Sequence, residues 1–341
     1  MIIVYNGTMK NKTVIILLCI ILLVCILASF LLGRYKVPFR ELVSVLAARF
    51  FSVEKTWEDA QYVAVWNIRM PRILMAVLVG ACLSAAGASY QGVFQNPMAA
   101  PDILGASAGA GFGAALAIFI GLSSWGITGF AFIMSLLTVA AVMFISRYTK
   151  GDRVLGLVLA GIMISSLFEA GTSFIKLVAD PTNKLPAITY WLMGSLVGVT
   201  NRELSIIVWP MLAGLVPLLL LSWRINLLTM GDDEARSMGV NANRVRAAVI
   251  VCATLITAAS VSVTGMIGWV GLVIPHMMRR IVGNDYRFLL PASVLGGGIF
   301  MLLVDNFSRN ISTSEIPIGI LTAFVGAPFF LLLITGRGDA R

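Results

Sequence analysis

Residues 73–90 read ILMAVLVGACLSAAGASY and contain no charged side chain. A helix needs about 20 such residues to cross the hydrocarbon core of a bilayer. Similar runs recur along the chain, which is 59% hydrophobic and 12% charged over 341 residues, with a mean hydropathy of +0.93. Soluble domains are typically about 25% charged. The composition therefore excludes a soluble enzyme, a nucleic-acid-binding protein and a disordered chain.

The apolar runs and turn signals on both sides of this segment predict an all-α integral membrane protein with ten transmembrane helices, in one domain over residues 1–341. The predicted spans cover about residues 14–33, 61–91, 102–121, 125–147, 153–178, 203–222, 243–264, 270–283, 286–308 and 316–335. A further helix over about 187–198 is too short to cross. Broken backbone at membrane depth must be buried or line a wet cavity. We therefore expect the Gly-rich stretches around Gly87–Gly113 and Gly265–Pro275 to lie inside the bundle.

The charges set the predicted topology. Lys10 and Lys12 precede an apolar run over Val14–Leu32, which is longer than the core of a signal peptide, about 7–15 residues. We interpret it as a retained first span with a cytoplasmic N-terminus, so ten spans place the C-terminus in the cytoplasm as well. Of the 25 Lys and Arg residues, 14 then fall inside and 11 outside, a weak form of the positive-inside rule. Either this topology is wrong or the outer face carries positive charge for a purpose.

Polar residues of the predicted fifth span share one helical face. Ser165, Glu169, Thr172, Ser173 and Lys176 stand at i, i+4, i+7, i+8 and i+11. A charge near mid-membrane costs about 2.5–3.5 kcal/mol on a lipid face. The spacing therefore favours a polar interior or a water-filled path. The alternative is that Glu169 bonds a neighbouring helix or is protonated.

Motifs for chemistry are absent from the sequence. It contains no G-x-x-x-x-G-K-[ST] phosphate loop, no H-E-x-x-H, no G-x-S-x-G and no paired metal-ligand set. Asp305 and Arg309, four residues apart in the ninth span, are either a helical ion pair or a functional one. We expect no catalytic residue, no metal and no cofactor in this chain. The cysteines lie in apolar runs and are expected to be buried thiols: Cys19, Cys25, Cys82 and Cys252.

The segment over residues 227–246 is the only long polar loop on the predicted cytoplasmic side. Its core, Met230–Val240, reads MGDDEARSMGV and has helix formers between two glycines. The acids fall in the first turn, where the helix dipole favours them. The pattern predicts a short amphipathic helix on the cytoplasmic face, or a solvated connector.

Seven segments in order resemble one family. They are Trp66–Arg72 (WNIRMPR), Phe94–Gly105 (FQNPMAAPDILG), Tyr190–Ser195 (YWLMGS), Glu234–Val240 (EARSMGV), Gly268–His276 (GWVGLVIPH), Glu315–Gly319 (EIPIG) and Gly326–Pro328 (GAP). This series resembles the FecCD-type permeases, the membrane subunits of binding-protein-dependent ABC importers for iron-siderophores, haem and cobalamin. The resemblance runs from about residue 60 to 335 and implies a type II ABC importer permease fold with ten helices.

The resemblance also implies roles for particular residues. Arg69, Arg72 and Arg309 would meet acidic residues of a substrate-binding protein, which would account for the outer positive charge. The fifth span would line the translocation path, although Glu169 matches no family motif. The cytoplasmic gate would contain Asn96, Pro97 and Met98. A coupling helix within about 227–242 would touch the ATPase through Asp232, Asp233, Glu234, Ala235, Arg236 and Gly239, with a glycine spacing that departs from the better-known E-A-A-x-x-x-G loop.

These inferences predict a permease of a bacterial inner (cell) membrane that imports a ferric siderophore, with haem, cobalamin or another chelate or oxyanion as alternatives. The implied partners are two ABC ATPase subunits that bind ATP and Mg²⁺, a second permease copy and an extracytoplasmic substrate-binding protein. Nucleic acid is not an expected partner. Two other classes stay open: an ion-coupled secondary transporter that uses Glu169, and a membrane-embedded enzyme. A charged Glu169 would disfavour strongly anionic chelates.

Overall fold

The computed structural model describes residues 2–49, 51, 54–149, 153–312 and 314–335, and these residues form helices and loops with no β-strand among them. The all-α prediction is therefore confirmed. The described helices are α1 (Ile2–Leu31), α2 (Phe39–Ala47), α3 (Asp59–Val63), α4 (Met70–Val93), α5 (Ala106–Phe119), α6 (Ser124–Ile145), α7 (Arg153–Val178), α8 (Lys184–Leu192), α9 (Asn201–Leu220), α10 (Ser222–Met230), α11 (Asp232–Ser237), α12 (Ala242–Thr264), α13 (Val270–Val282), α14 (Tyr286–Ile311) and α15 (Ile318–Thr335).

Each of the ten predicted spans coincides with a helix, but the helices differ in length. Seven stretches among the described residues are long and apolar enough to cross a membrane: Met9–Leu31, Asp59–Val93, Ser124–Tyr148, Val154–Val178, Asn201–Leu220, Ala242–Thr264 and Tyr286–Ile311. The other three, α5, α13 and α15, have 14, 13 and 18 residues. A crossing needs about 20 residues. The fold class is confirmed, and the count of ten crossing helices stays a prediction.

Helix α4 lies at the centre of the bundle and packs against α14, α12, α13 and α9. A π-helical segment, Ala64–Arg69, joins it to α3, so that residues 59–93 form one continuous helix. Small residues allow the close approach that membrane helices need. A Cβ added at Gly80 would lie 2.6 Å from the Met301 Cβ on α14, and one at Gly87 would lie 2.6 Å from the Gly271 Cα on α13.

The backbone between α12 and α13 is irregular and largely enclosed by the bundle, as predicted. Gly265 and Trp269 both have left-handed φ angles, of 70° and 71°. The irregular segments bond to one another: Ser195 N donates to Thr264 O at 2.6 Å, and Ile318 N donates to Gly194 O at 2.8 Å. These bonds satisfy backbone groups that would otherwise be unpaired at membrane depth. The short helix expected at 187–198 is α8, which begins and ends earlier than predicted.

The bundle has two ends, separated by the 24 residues of α4, about 36 Å. The α11 end comprises α10, α11, the turn after α4 and the first residues of α12 and α14. The Arg72 end comprises the first turn of α4, the last turn of α14 and the loops on either side of them. The predicted gate and coupling residues fall at the α11 end, and the predicted docking arginines fall at the Arg72 end.

Candidate functional site

The predicted gate residues form a tight turn directly after α4. Gln95 has a left-handed φ of 49°, and the Asn96 side-chain Oδ1 accepts a hydrogen bond from Met98 N at 2.9 Å. Asn96, Pro97 and Met98 are exposed, and the ring of Phe94 stacks on that of Tyr90 inside the bundle. We call residues 95–98 the gate turn. Its gating role stays a prediction, but its position at the end of the central helix is suited to opening or closing a path.

Helix α11 follows Gly231, whose φ of 126° ends α10. The predicted coupling residues do not share one environment. Ala235 is fully buried, whereas Asp233, Glu234 and Arg236 are exposed, as is Gly239, whose φ is 78°. The acids lie in the first turn of the helix, as the sequence predicts. The exposed part of this set therefore presents mixed charge at the surface, on a helix held in place by an apolar contact.

Asp232 differs from the other predicted coupling residues because it points back into the protein. Its carboxylate pairs with Arg246 on α12, with Arg246 Nη2 to Asp232 Oδ1 at 2.8 Å. The Arg246 side chain is 6% exposed. The pair fixes the start of α11 to the base of α12, so Asp232 positions the helix.

Helix α10 is fixed to the start of α14 by side-chain bonds. Asn226 Nδ2 donates to Asp285 Oδ1 at 2.7 Å, and Tyr286 N donates to Asn226 Oδ1 at 2.8 Å. Burial alone would raise the pKa of Asp285, but hydrogen bonds from Arg287 and Asn226 outweigh it and hold that pKa below its ordinary value. Asp285 therefore stays ionised and joins α10 to α14.

The predicted path stripe lies on α7, and its members are exposed to different degrees. Glu169 and Ser173 are exposed, whereas Ser165, Thr172 and Lys176 are half-buried. The hydroxyls of Thr172 and Ser173 donate to carbonyls of their own helix, Phe168 O and Glu169 O. Ser165 lies against Gly105, beyond the gate turn. Path lining by this stripe stays a prediction.

Glu169 is the most informative member of the stripe. Among the described residues its carboxylate has no hydrogen-bond or ion-pair partner. The first alternative, a bond to a neighbouring helix of the same chain, is therefore not seen. The carboxylate faces away from this chain's own bundle, where a second chain, water or lipid would meet it.

The three arginines predicted to dock a binding protein are buried at the Arg72 end. Arg69, Arg72 and Arg309 are 4%, 7% and 7% exposed. The Arg69 guanidinium donates to the carbonyl oxygen of Phe30 in the last turn of α1 and to that of Tyr35 in the loop that follows. The docking role stays a prediction, but in this conformation these side chains do not present their charge at the surface.

Two carboxylates, those of Asp305 on α14 and Glu315 in the loop after it, pair with Arg72 and Arg309. Arg72 Nε donates to Asp305 Oδ1 at 2.9 Å, and Arg72 also binds Glu315 with both Nη atoms, at 3.0 and 2.6 Å. Arg309 Nε lies 3.1 Å from Asp305 Oδ2, which is the ion pair that the spacing of four predicted. Together the three arginines and the two carboxylates carry a formal net charge of +1. We call these five residues the arginine cluster.

The role of Glu315 and of the loop carbonyls was not predicted from the sequence. Glu315 is 243 residues from Arg72 along the chain, and no local spacing indicates that the two side chains meet. The available signal was the excess of arginines at the ends of the second and ninth spans. Those arginines needed counter-charges, and the nearest acids in the sequence after the start of the ninth span were Asp305 within that span and Glu315 in the loop that follows it.

An apolar cavity of about 700 Å³, open to the surface of the chain, lies where the irregular segments meet α15. Its walls include Met193, Met266, Trp269 and Phe324. Trp269, whose backbone is left-handed, also contacts the ring of Phe330. Cavities of this size are typical of sites for small organic ligands. Among the described residues no group of three or more His, Cys, Asp or Glu side chains could hold a bare metal ion.

Comparison with known proteins agrees with this architecture. A model of the FecCD transport family matches residues 21–336. The molybdate import system permease protein MolB of Haemophilus influenzae is 38% identical over 317 residues, covering 93% of this chain and 94% of the relative. The hemin transport system permease protein HmuU of Yersinia pestis is 33% identical over 347 residues, covering 98% and 99%.

Comparison with solved structures also identifies an ABC transporter with this fold. An inward-facing structure of a transporter described as a metal-chelate type ABC transporter superposes with a TM-score of 0.85 at 37% identity, covering 95% of this chain and 99% of that one. The sequence match extends over most of the chain, and the fold match covers nearly all of it. The chain therefore belongs to the FecCD transport family of ABC importer permeases.

Proposed function

We propose that this chain is the transmembrane permease of a binding-protein-dependent ABC importer and that it carries a ferric siderophore into the cytoplasm. The structure of α11 is the observation that best supports the permease role. It is a short helix anchored by the buried Ala235, with the charged side chains of Asp233, Glu234 and Arg236 exposed. A charged helix at the end of an apolar bundle suits contact with a soluble partner. Two ABC ATPase subunits would bind ATP and Mg²⁺ and dock there.

The α11 end faces the cytoplasm in this proposal, and the protein lies in a bacterial inner (cell) membrane. The Lys/Arg-rich turns at this end support that orientation, because cytoplasmic loops carry an excess of basic residues. Both chain termini are then cytoplasmic. These basic residues are Arg147, Arg224, Arg244, Arg279, Arg280 and Arg287.

A second permease copy, identical or a sister chain, would cover the exposed face of α7. Glu169 and Ser173 would then line a path between the two copies. This arrangement gives the Glu169 carboxylate a wet environment, which is much less costly than a lipid face. The outer end of that path would receive cargo from the substrate-binding protein.

The Arg72 end would receive the binding protein. The arginine cluster keeps one net positive charge, and Lys36 and Arg40 are exposed in the neighbouring loop and α2. Positive charge of this kind attracts an acidic partner and raises its association rate. The substitutions Lys36→Glu and Arg40→Glu should therefore weaken binding of the purified binding protein at low salt more than at high salt. Equal affinity for the parent and both variants at every salt concentration would refute docking at this end.

The cargo proposal rests on the shape and chemistry of the cavity beside α15. A mostly apolar volume of about 700 Å³ suits a bulky organic chelate better than a small oxyanion. The similarity to a haem permease is consistent with an iron-containing cargo, whereas the molybdate relative supports the oxyanion alternative.

A cargo panel tests the assignment. The permease, its ATPase and its binding protein would be reconstituted in liposomes and supplied in turn with radiolabelled ferric siderophores, haem, cobalamin and molybdate. Saturable uptake of a ferric siderophore, unaffected by excess molybdate, is the expected result. Uptake of molybdate or cobalamin instead would replace the cargo and leave the permease role intact.

A further inference from the structure

The gate turn begins with a residue in an unusual conformation. Gln95 has a φ of 49°, a left-handed backbone that residues other than glycine, asparagine and aspartate seldom adopt. Its backbone N donates to Gly92 O at a long 3.3 Å. Its side chain makes the stronger bond, in which Nε2 donates to Leu228 O at 2.6 Å. The side-chain bond therefore helps to hold this strained position.

The acceptor of that bond lies at the end of α10. Carbonyls in the last turn of a helix have no donor within the helix. Gly231 ends α10 three residues after Leu228, and α11 begins at the next residue. The amide of Gln95 thus caps α10 from the gate turn, close to the point where the chain enters α11.

A second contact joins the same two elements. A Cβ added at Gly92 would lie 2.6 Å from Ile225 Cγ2, so the last turn of α4 packs closely on α10. Elsewhere the gate turn and the start of α11 are separated by a cavity of about 300 Å³ whose walls include Phe94, Gln95, Asp232 and Arg246. Helix α10 therefore provides the direct packing contact between α11 and the gate turn.

We propose that Gln95 is a positioning residue that transmits the movement of α11 to the gate turn through its hydrogen bond to the Leu228 carbonyl. The inference rests on the proposed function, in which α11 docks on the ATPase. When α11 is displaced, the end of α10 moves with it and carries the Gln95 side chain. The left-handed residue is the hinge at which the gate turn reorients without unwinding α4.

Two substitutions separate the bond from the backbone conformation. Gln95→Glu keeps the length of the side chain but replaces the donor amide by a carboxylate, which cannot donate to a carbonyl. Gln95→Asn keeps a donor and favours the left-handed backbone, but it is one methylene too short. Asn11→Asp is the matched control, because Asn11 Nδ2 donates to Val282 O at 2.9 Å, so that the same kind of bond caps the end of α13 and not that of α10.

The experiment needs no known cargo. The full permease with its ATPase would be placed in nanodiscs with Met98→Cys in the gate turn, where the native side chain is 52% exposed. A charged maleimide would report the labelling rate of residue 98, by mass spectrometry of its peptide, without nucleotide and after trapping with ATP and vanadate. ATP hydrolysis would be measured on the same preparation.

The parent and Asn11→Asp should show a nucleotide-dependent change in labelling. In Gln95→Glu and Gln95→Asn we expect that change to shrink by about five-fold, the factor for one lost hydrogen bond, while ATP hydrolysis continues. A full labelling change in both variants would overturn the proposal. Equal loss of hydrolysis and labelling change would also overturn it, since Gln95 would then serve assembly. If the parent itself neither hydrolyses ATP nor changes its labelling, the proposed function fails first.

Discussion

Replacing Asp305 by asparagine would remove the charge at the centre of the arginine cluster while keeping the shape of the side chain. Asp305 is fully buried between Arg72 and Arg309, whose side chains are each 8% exposed. The cluster carries three positive and two negative charges, and the substitution changes its net charge from +1 to +2. Removing one partner of a buried ion pair typically costs about 3–5 kcal/mol, because the other charge is left without compensation. Glu315, which is 23% exposed, is already bound to Arg72 and makes no ion pair with Arg309 among the described residues.

An exposed ion pair provides the matched control. Lys55 Nζ lies 2.7 Å from Asp59 Oδ1, almost the same separation, but these side chains are 59% and 89% exposed. Asp59→Asn should cost about 0–1 kcal/mol, as surface pairs do. The free energies of unfolding of the parent, Asp305→Asn and Asp59→Asn would be compared by titration with SDS in mixed micelles.

A double substitution tests the electrostatic cause directly. Arg309→Gln removes one of the two charges that Asp305 compensates. Combined with Asp305→Asn it should be less destabilising than the sum of the two single changes, by about 1–3 kcal/mol. If Asp305→Asn costs no more than Asp59→Asn, or if the double substitution is simply additive, the description of a charge-balanced cluster is wrong.

Three further predictions follow from other parts of the structure. Gly297→Ala should destabilise the protein by about 1–3 kcal/mol in the same titration, because the added Cβ would lie 2.6 Å from the Ser84 Cβ on α4. Gly129→Ala on α6, where an added Cβ would meet no atom within 4 Å, should be neutral or stabilising. Equal effects of the two substitutions would refute the close α4–α14 contact. The depressed pKa of Asp285 contributes stability that is present above its ordinary value of 3.8 and is lost as the pH falls through the lower folded value. The stability difference between the parent and Asp285→Asn should therefore narrow as the pH is lowered below 3.8. A difference that stays constant there would contradict this. Glu169→Gln should raise uptake of anionic ferric siderophores relative to neutral ones, because it removes a like charge from the path. Competition between the two kinds of siderophore in liposomes measures this selectivity. Unchanged selectivity would mean that Glu169 is protonated or outside the path.

The sequence was sufficient to predict the helices because hydrophobic length is a local property. The runs around residues 73–90 and 286–308 need no partner to be recognised. The helices α2 and α10 were not predicted, since they are short and lie beside polar loops. Helix α5 is also shorter than the predicted span of 102–121, because the left-handed backbone of Gly105 delays its start to Ala106 although the apolar composition begins earlier.

The arrangement of side chains at the two ends could be predicted only in part. The exposed acids of α11 follow from the first-turn pattern, but the inward turn of Asp232 depends on Arg246, fourteen residues further on. The sequence indicates that Arg69, Arg72 and Arg309 are unusual, but not their partners across the fold, which include Glu315 and the carbonyls of Phe30 and Tyr35. The bond from Gln95 to Leu228 likewise joins residues 133 positions apart. Sequence spacing indicates which groups share a helical face, and tertiary packing decides which long-range partners they meet.

The central claim is that ATP hydrolysed by a partner drives transport through this chain. The most direct test is uptake of a ferric siderophore into liposomes that hold the permease, its ATPase and its binding protein, with and without internal ATP and with an ionophore present. Accumulation that requires both ATP and the binding protein and is insensitive to the ionophore is the predicted result. Uptake that continues without ATP, collapses with the ion gradient and is lost in Glu169→Gln would contradict the claim and identify an ion-coupled transporter instead.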